Sequence, residues 1–267
     1  MPADLAAGLT FAGLGLFVGF FSGLLGIGGG AMTVPILGLV FVASGFEPVH
    51  VMPMAIGTSL AAIVPATASG TRTHHHHGAV RWDLVRGLAP GIVLAGLAAG
   101  TVARVIPTGV LKGFFFAFVV YITYQIVFGM KPGSTRPVPG RAGLFGAGVL
   151  VGGFSGLAGV GGAMISMPFM MSWGIPFKTA IGTGSAISFV VAAAGVAGFV
   201  AAGWGLAGLP ALTLGYVYLP AFVGITVTSV FAAPLGAKLT HRLPVATLRK
   251  IFAVFILLLA AKLVASL

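Results

Sequence analysis

The chain has 267 residues, 58% of them hydrophobic and only 6% charged, whereas a soluble domain carries about a quarter charged residues; no soluble fold hides that much apolar surface, so the expected solvent is lipid. Its fourteen Lys and Arg fall in short loops between apolar runs, a pattern that reports orientation in a membrane and removes the nucleic-acid reading that a net charge of +11 otherwise invites. With no cysteine, disulfides, thiolate metal sites and cysteine nucleophiles are excluded.

The apolar runs repeatedly exceed about 18 residues, which favours helices over the alternating strands of a barrel. Met1 to Thr10 lacks the basic start of a secretory signal, and the apolar stretch after it is too long for one, so it is read as retained. The first element, Phe11 to Ser44, spans about 34 residues and is interrupted by GIGGG. As one helix it would be about 51 Å long, too long for a core of about 30 Å and too short for two crossings. A re-entrant helical hairpin with its glycine tip at mid-depth fits that length. Ordinary spans follow near Met54–Gly70, Gly87–Val105 and Val110–Phe128, with a HHHH loop after the first. The polar, Pro-rich stretch Lys131 to Arg141 reads as a linker. A second interrupted segment, Arg141 to Gly174 with GVGG at its centre, opens the other half, and spans near Thr179–Ala201, Tyr216–Ala237 and Thr247–Ala265 complete it.

The halves repeat one another. FSGLLGIGGGAMTVP at Phe21–Pro35 matches FSGLAGVGGAMISMP at Phe154–Pro168 without a gap, AIGTS from Ala55 answers AIGTG from Ala180, and IPTGVLKGFFFAF from Ile106 answers LPVATLRKIFAVF from Leu243. The expected organisation is therefore a first repeat at 1–130, a polar linker at 131–141 and a second repeat at 142–267, forming one all-α polytopic membrane domain of about 8–10 helical segments. Charge tests whether the interrupted segments return or cross. If they return, the copies are inverted and eleven basic residues share one side against three; if they cross, the split is seven to seven. The positive-inside rule selects the hairpins, with both termini outside, the His loop and basic loops in the cytoplasm, and the bacterial inner membrane as location.

Broken helices in inverted repeats are the architecture of many secondary transporters, where half-helix N-termini converge near the midplane. Each glycine tip here is followed by a helix starting near Ala31 or Ala163, so free N–H groups and the positive dipole end point to the centre, a site for an anion. Gly28, Gly29 and Gly30, with Gly161, Gly162 and Ala163, give the close backbone approach, and Ser22, Thr58, Ser59, Ser155, Thr183 and Ser185 are candidate hydroxyl donors. Glycines in membrane helices also serve close packing alone, but a duplicated mid-depth cluster flanked by Pro35 and Pro168 favours a site. The acidic residues Asp4, Glu47 and Asp83 all fall in loops or at ends, leaving no buried carboxylate for a cation relay, and no histidine or acid within the predicted spans to activate a serine. Neither enzyme activity nor a cofactor is expected. His74, His75, His76 and His77 are the metal alternative, but four adjacent histidines cannot all converge on one ion. Trp82, Tyr216 and Tyr218 read as interface anchors.

The paired glycine motifs, GTSLAAI from Gly57, HHHHGAVRWDL from His74, GYVYLPA from Gly215 and APLGAKLTHRLP from Ala233 resemble the TauE/SafE family of sulfite exporters over nearly the whole chain. The resemblance implies transport of a small sulfur-containing anion such as sulfite, sulfoacetate or another organosulfonate. Its usual pattern carries one or two His mixed with Arg where this chain has an uninterrupted tetrad. The competing class is a divalent-metal or cation permease that gathers ions on the His loop. The expected partners are the anion and the lipid bilayer, with a homo-oligomer left open and no nucleic acid.

Overall fold

A computed structural model describes residues 10–20, 29–128 and 136–240, with single positions near the C-terminus. In chain order the helices are α1 (Thr10–Phe20), α2 (Gly30–Ala43), α3 (Pro48–His76), α4 (Trp82–Val105), α5 (Thr108–Phe128), α6 (Arg141–Ala158), α7 (Ala163–Ser172), α8 (Phe177–Gly203) and α9 (Leu219–Thr240). Strands β1 (Thr213–Leu214) and β2 (Val217–Tyr218) pair antiparallel just before α9. The protein is a helical membrane protein: among the described residues four helices are long and apolar enough to cross a bilayer, namely α3, α4, α6 and Thr179–Gly203 of α8. Leu94, Tyr124, Leu150, Phe231 and Leu235 stand exposed on α4, α5, α6 and α9, an apolar surface that water does not tolerate over such an area.

Glycine sets how the helices stop. At the end of α6, Gly159 adopts φ +67°; its N–H returns to Gly156 C=O and the next N–H, of Val160, to Ser155 C=O. Gly78 after α3 has φ +64° and makes the same pair of bonds to His75 and His74. Both are Schellman ends, in which glycine avoids the Cβ clash of the left-handed region and the last carbonyls are satisfied without water.

Glycine also sets how closely the helices pack. A Cβ on Gly152 of α6 would stand 2.6 Å from Ile92 O of α4, and one on Gly156 would stand 3.0 Å from Ala99 Cβ. Contacts climb both helices together, so α4 and α6 run parallel. Likewise Gly96 meets Ala194 and Gly100 meets Gly198, making α4 and α8 parallel. In contrast, Gly57 of α3 meets Phe199, Gly195 of α8 meets Leu60, and Gly70 meets Ser185, so α3 and α8 are antiparallel. Small residues let backbones approach where lipid supplies no hydrophobic drive between helices.

The two interrupted segments both double back. Arg136 N–H, just ahead of α6, donates to Ser172 C=O at the end of α7 (3.0 Å), so the ends of the α6–α7 unit lie together and α8 restarts in the direction of α6. In the other half, Phe11 at the start of α1 and Phe41 near the end of α2 both pack on the Tyr218 ring, at 6.1 and 5.6 Å between centroids.

Several expectations need correction. The first ordinary span begins at Pro48 and continues to His76, so His74, His75 and His76 form the last helical turn of α3 and the loop is only Gly78-centred. His50 consequently lies inside a helix. The helix expected from Tyr216 starts instead at Leu219, behind the β1–β2 hairpin. Tyr216 and Tyr218 are not interface anchors: Tyr216 is buried, and Tyr218 sits at the centre of Phe11, Phe41 and Phe46. Gly28, Ser22, residues 131–135 of the linker and most of the last expected span lie outside the described residues.

Candidate functional site

The two glycine breaks meet. Helices α2 and α7 start at Gly30 and Ala163, positions that pair without a gap in the repeated motif, behind Gly29 and Gly162 as their N-caps. Gly29 has φ +66°. A Cβ on Gly30 would stand 2.6 Å from Gly159 O and 2.8 Å from Val160 Cα, so the tip of one unit rests on the backbone of the other. Ser59 of α3 donates its hydroxyl to the same Gly159 O at 2.8 Å. Gly159 also packs on Ile56 of α3, and Gly30 on Ile63, so α3 brackets the junction. The α2 N-terminus, with the free N–H groups and partial positive charge of a helix start, thus rests in the buried core on the break that leads from α6 into α7. Glu47 and Asp83 stand exposed at the ends of α3 and α4, far along the chain from this junction.

The α7 start is closed by a residue absent from the sequence-based candidates. Ala163 N–H donates to Ser188 Oγ at 2.9 Å. Ser188 lies one turn beyond Gly184 on α8, and Gly184 packs against Ala163, so the i, i+4 stripe from Gly184 was the available signal. Gly162 is enclosed by the methyls of Val151, Ile187 and Val191 at 2.8 to 3.1 Å from an added Cβ, and Gly161 is buried beside it.

The expected hydroxyls divide into three groups. Ser59 is at the junction. Ser155, and the unforeseen Ser166, are fully buried with no hydrogen-bond partner on their Oγ atoms; Thr33, which aligns with Ser166, bonds back to Gly29 O at 3.1 Å. Thr58, Thr183 and Ser185 are engaged elsewhere: Tyr218 N–H donates to Thr58 Oγ1 (2.9 Å), Arg81 N–H donates to Thr183 Oγ1 (3.0 Å), and Ser185 Oγ pairs with Thr71 Oγ1 (3.3 Å).

At the His end, Trp82 Nε1–H donates to His75 Nδ1 at 3.1 Å, occupying one nitrogen of the tetrad. Among the described residues no three His, Asp or Glu side chains gather as a metal site requires. Arg81 grips Asp83 with two bonds of 2.8 and 2.6 Å, which holds its guanidinium pKa above the ordinary value. At the other end, burial pushes the Tyr216 phenol up, with the nearby Arg104 charge opposing the shift. A groove of about 330 Å³ between α5, α6 and α7 is lined by Phe114, Phe118, Leu150, Phe154, Ile165 and Phe169, with Tyr121 as its one polar-tipped side chain, and carries no charged group.

Comparison with known proteins agrees with this architecture. A family model described as sulfite exporter TauE/SafE matches residues 11–263. The chain is 36% identical over 249 residues to a probable membrane transporter protein of Haemophilus influenzae, covering 92% of this chain and 94% of that one. It is 30% identical over 111 residues to the probable membrane transporter protein YunE of Bacillus subtilis, covering 42% and 38%. A stretch of 122 residues is 32% identical to the probable membrane transporter protein MamO of Paramagnetospirillum magneticum, covering 43% of this chain and 18% of that one. No solved structure matches the chain significantly. The chain therefore belongs to the TauE/SafE sulfite exporter family, a multi-pass membrane transporter by its helices and its relatives alike.

Proposed function

We propose that this protein carries small sulfur-containing anions, such as sulfite, sulfoacetate or other organosulfonates, across the bacterial inner membrane by alternating access. The anion is held where the glycine breaks meet, and the two copies are inverted relative to one another with the basic loops in the cytoplasm. The observation that carries the reading is the contact of Gly30 with Gly159 and Val160, which sets the N-terminus of α2 on the glycine break ahead of α7, with Glu47 and Asp83, the acidic residues among those described, exposed outside it. The antiparallel packing of α3 and α8, which bear the matching AIGT motifs, supports the inversion. Backbone N–H groups and hydroxyls suit an oxyanion because they donate without adding a fixed charge that would hold it too tightly to release.

The site in this arrangement is closed: Ser188 takes the Ala163 N–H and apolar methyls enclose Gly162. An anion enters only after the two copies shift, as alternating access requires. Exchange of radiolabelled sulfite in proteoliposomes, with chelator present, tests the proposal. Saturable sulfite or sulfonate exchange, unchanged by EDTA and by alanine at His74 to His77, supports it. Divalent-metal flux that disappears with the tetrad, in the absence of sulfur-anion exchange, refutes it.

A further inference from the structure

The AIGT motif of each copy grips a loop of the other. In α3, Gly57 lies under Tyr216 O, 2.9 Å from an added Cβ, and Thr58 accepts the N–H of Tyr218, two residues on. In α8, Gly182 lies under Ala79 O, and Thr183 accepts the N–H of Arg81, again two residues on. The gripped segments correspond: Gly78-Ala79-Val80-Arg81 and Gly215-Tyr216-Val217-Tyr218 are 137 positions apart, the same offset that relates Ile106 to Leu243. Both begin with a left-handed glycine, Gly78 at φ +64° and Gly215 at φ +56°, and both lead directly into a helix, α4 at Trp82 and α9 at Leu219. The absence of a Cβ on Gly57 and Gly182 admits the loop carbonyl; the threonine hydroxyl, fully buried in both cases, then fixes the N–H beyond it.

The two clamps stand at opposite ends of the bundle. Thr58 lies in the first half of α3, level with Phe199 near the end of α8, while Thr183 lies near the start of α8, level with His74 at the end of α3. Each is reinforced locally. Phe11, Phe41 and Phe46 surround Tyr218, and the Trp82–His75 and Arg81–Asp83 bonds brace the other loop. A contact between the copies at one end must break when the copies rock open there, and the contact at the other end must hold.

We propose that the Gly57–Thr58 and Gly182–Thr183 clamps are the two gates of the transport cycle, the first closing the Tyr218 end and the second the Arg81 end. The inference rests on the alternating-access reading, and it assigns the His-bearing turn of α3 to bracing a gate. Both clamps are made in this arrangement, so the structure corresponds to the occluded state. Loss of one neutral hydrogen bond shifts a two-state balance by about 2- to 12-fold, enough to bias opening toward one side without unfolding the protein.

The test uses the absence of native cysteine. Ala163→Cys at the start of α7 places a buried probe at the junction, and sealed vesicles of both orientations are treated with a membrane-impermeant maleimide. Thr58→Val is expected to raise labelling from the Tyr218 side about 2- to 12-fold relative to the other side, Thr183→Val to do the reverse, and Thr58→Ser and Thr183→Ser to restore the parent pattern. Should a valine variant fail to fold, the corresponding alanine variant decides. Shifts toward the same side, no shift in either, or serine variants that behave like valine overturn the gates. Sulfite counterflow is measured in parallel vesicles that keep the native Ala163: opposite shifts without sulfite exchange would leave the gates standing and remove the substrate, whereas exchange without opposite shifts would do the converse.

Discussion

Replacing Gly30 by alanine tests the junction with the smallest possible perturbation. The new methyl carbon would start 2.6 Å from Gly159 O and 2.8 Å from Val160 Cα, both backbone atoms of the opposing tip. Ordinary contact begins near 3.4 Å, so the tips must part by about 0.8 Å, the difference of the two distances. Overpacking of this kind costs about 1–3 kcal/mol, partly offset by the better helix propensity of alanine, at most about 1 kcal/mol. The net loss of about 0–3 kcal/mol should lower the thermal midpoint in detergent by up to about 12 °C, since about 1 kcal/mol corresponds to roughly 2–4 °C at this chain length. Transport should suffer more, because a binding constellation tolerates displacement of only about 0.5 Å; sulfite counterflow is expected to fall about tenfold or more. Gly113→Ala on α5 is the control, as nothing lies within 4 Å of its added Cβ. If Gly30→Ala unfolds and exchanges like Gly113→Ala, the tips do not form the site.

Two further outcomes follow from the fold. Single cysteines at His75 and Arg136 should be labelled from one side of the membrane and a cysteine at Val105 from the other; labelling of His75 and Arg136 from opposite sides would dismantle the hairpin topology. Ser188→Ala should free the Ala163 N–H and, if Ser188 occupies the place of an anion oxygen, tighten sulfite binding measured by calorimetry by about 0.5–1.5 kcal/mol, whereas a purely structural role for the serine predicts weaker binding and a lower midpoint.

The breaks in the two long segments were legible because length and glycine act together: an apolar stretch of about 34 residues can neither cross once nor twice, and a run of glycines marks where the helix is interrupted. The helix starts at Gly30 and Ala163 followed from the same runs. The threonine partners were not legible, since Thr58 and Tyr218 lie 160 residues apart and Thr183 and Arg81 lie 102 apart, and a hydroxyl in a membrane helix usually bonds its own backbone. The loop match at Gly78 and Gly215 shares only two identities in four residues, too few to detect before the clamps show what it does. The β1–β2 hairpin hid because Val217 and Tyr218 continue an apolar run as well as they start a strand. The tetrad read as loop by its polarity, yet it is the Gly78 left-handed turn that ends α3, and His74, His75 and His76 stay helical.

The copies differ at the junction in a way that packing explains. Copy one carries Gly30 at the tip and Ser59 on the span; copy two carries Ala163 and Gly184 at the aligned positions. Ser59 holds Gly159 O against Gly30 by its 2.8 Å bond, which leaves no room for a methyl group on the tip. In copy two the span glycine removes its own side chain, and an added Cβ there would stand 3.0 Å from Ala163 Cβ, so the methyl has moved from span to tip. The pair behaves as one compensated unit in each half. Ser59→Gly releases the Gly159 carbonyl that Gly30→Ala must displace, so the double variant should be less destabilised than the sum of the singles, with a coupling of about 0.5–1.5 kcal/mol. Thermal unfolding of the two singles and the double in one detergent measures that cycle. Strict additivity would mean that Ser59 does not hold the tips together, and the divergence between the copies would then have no basis in this contact.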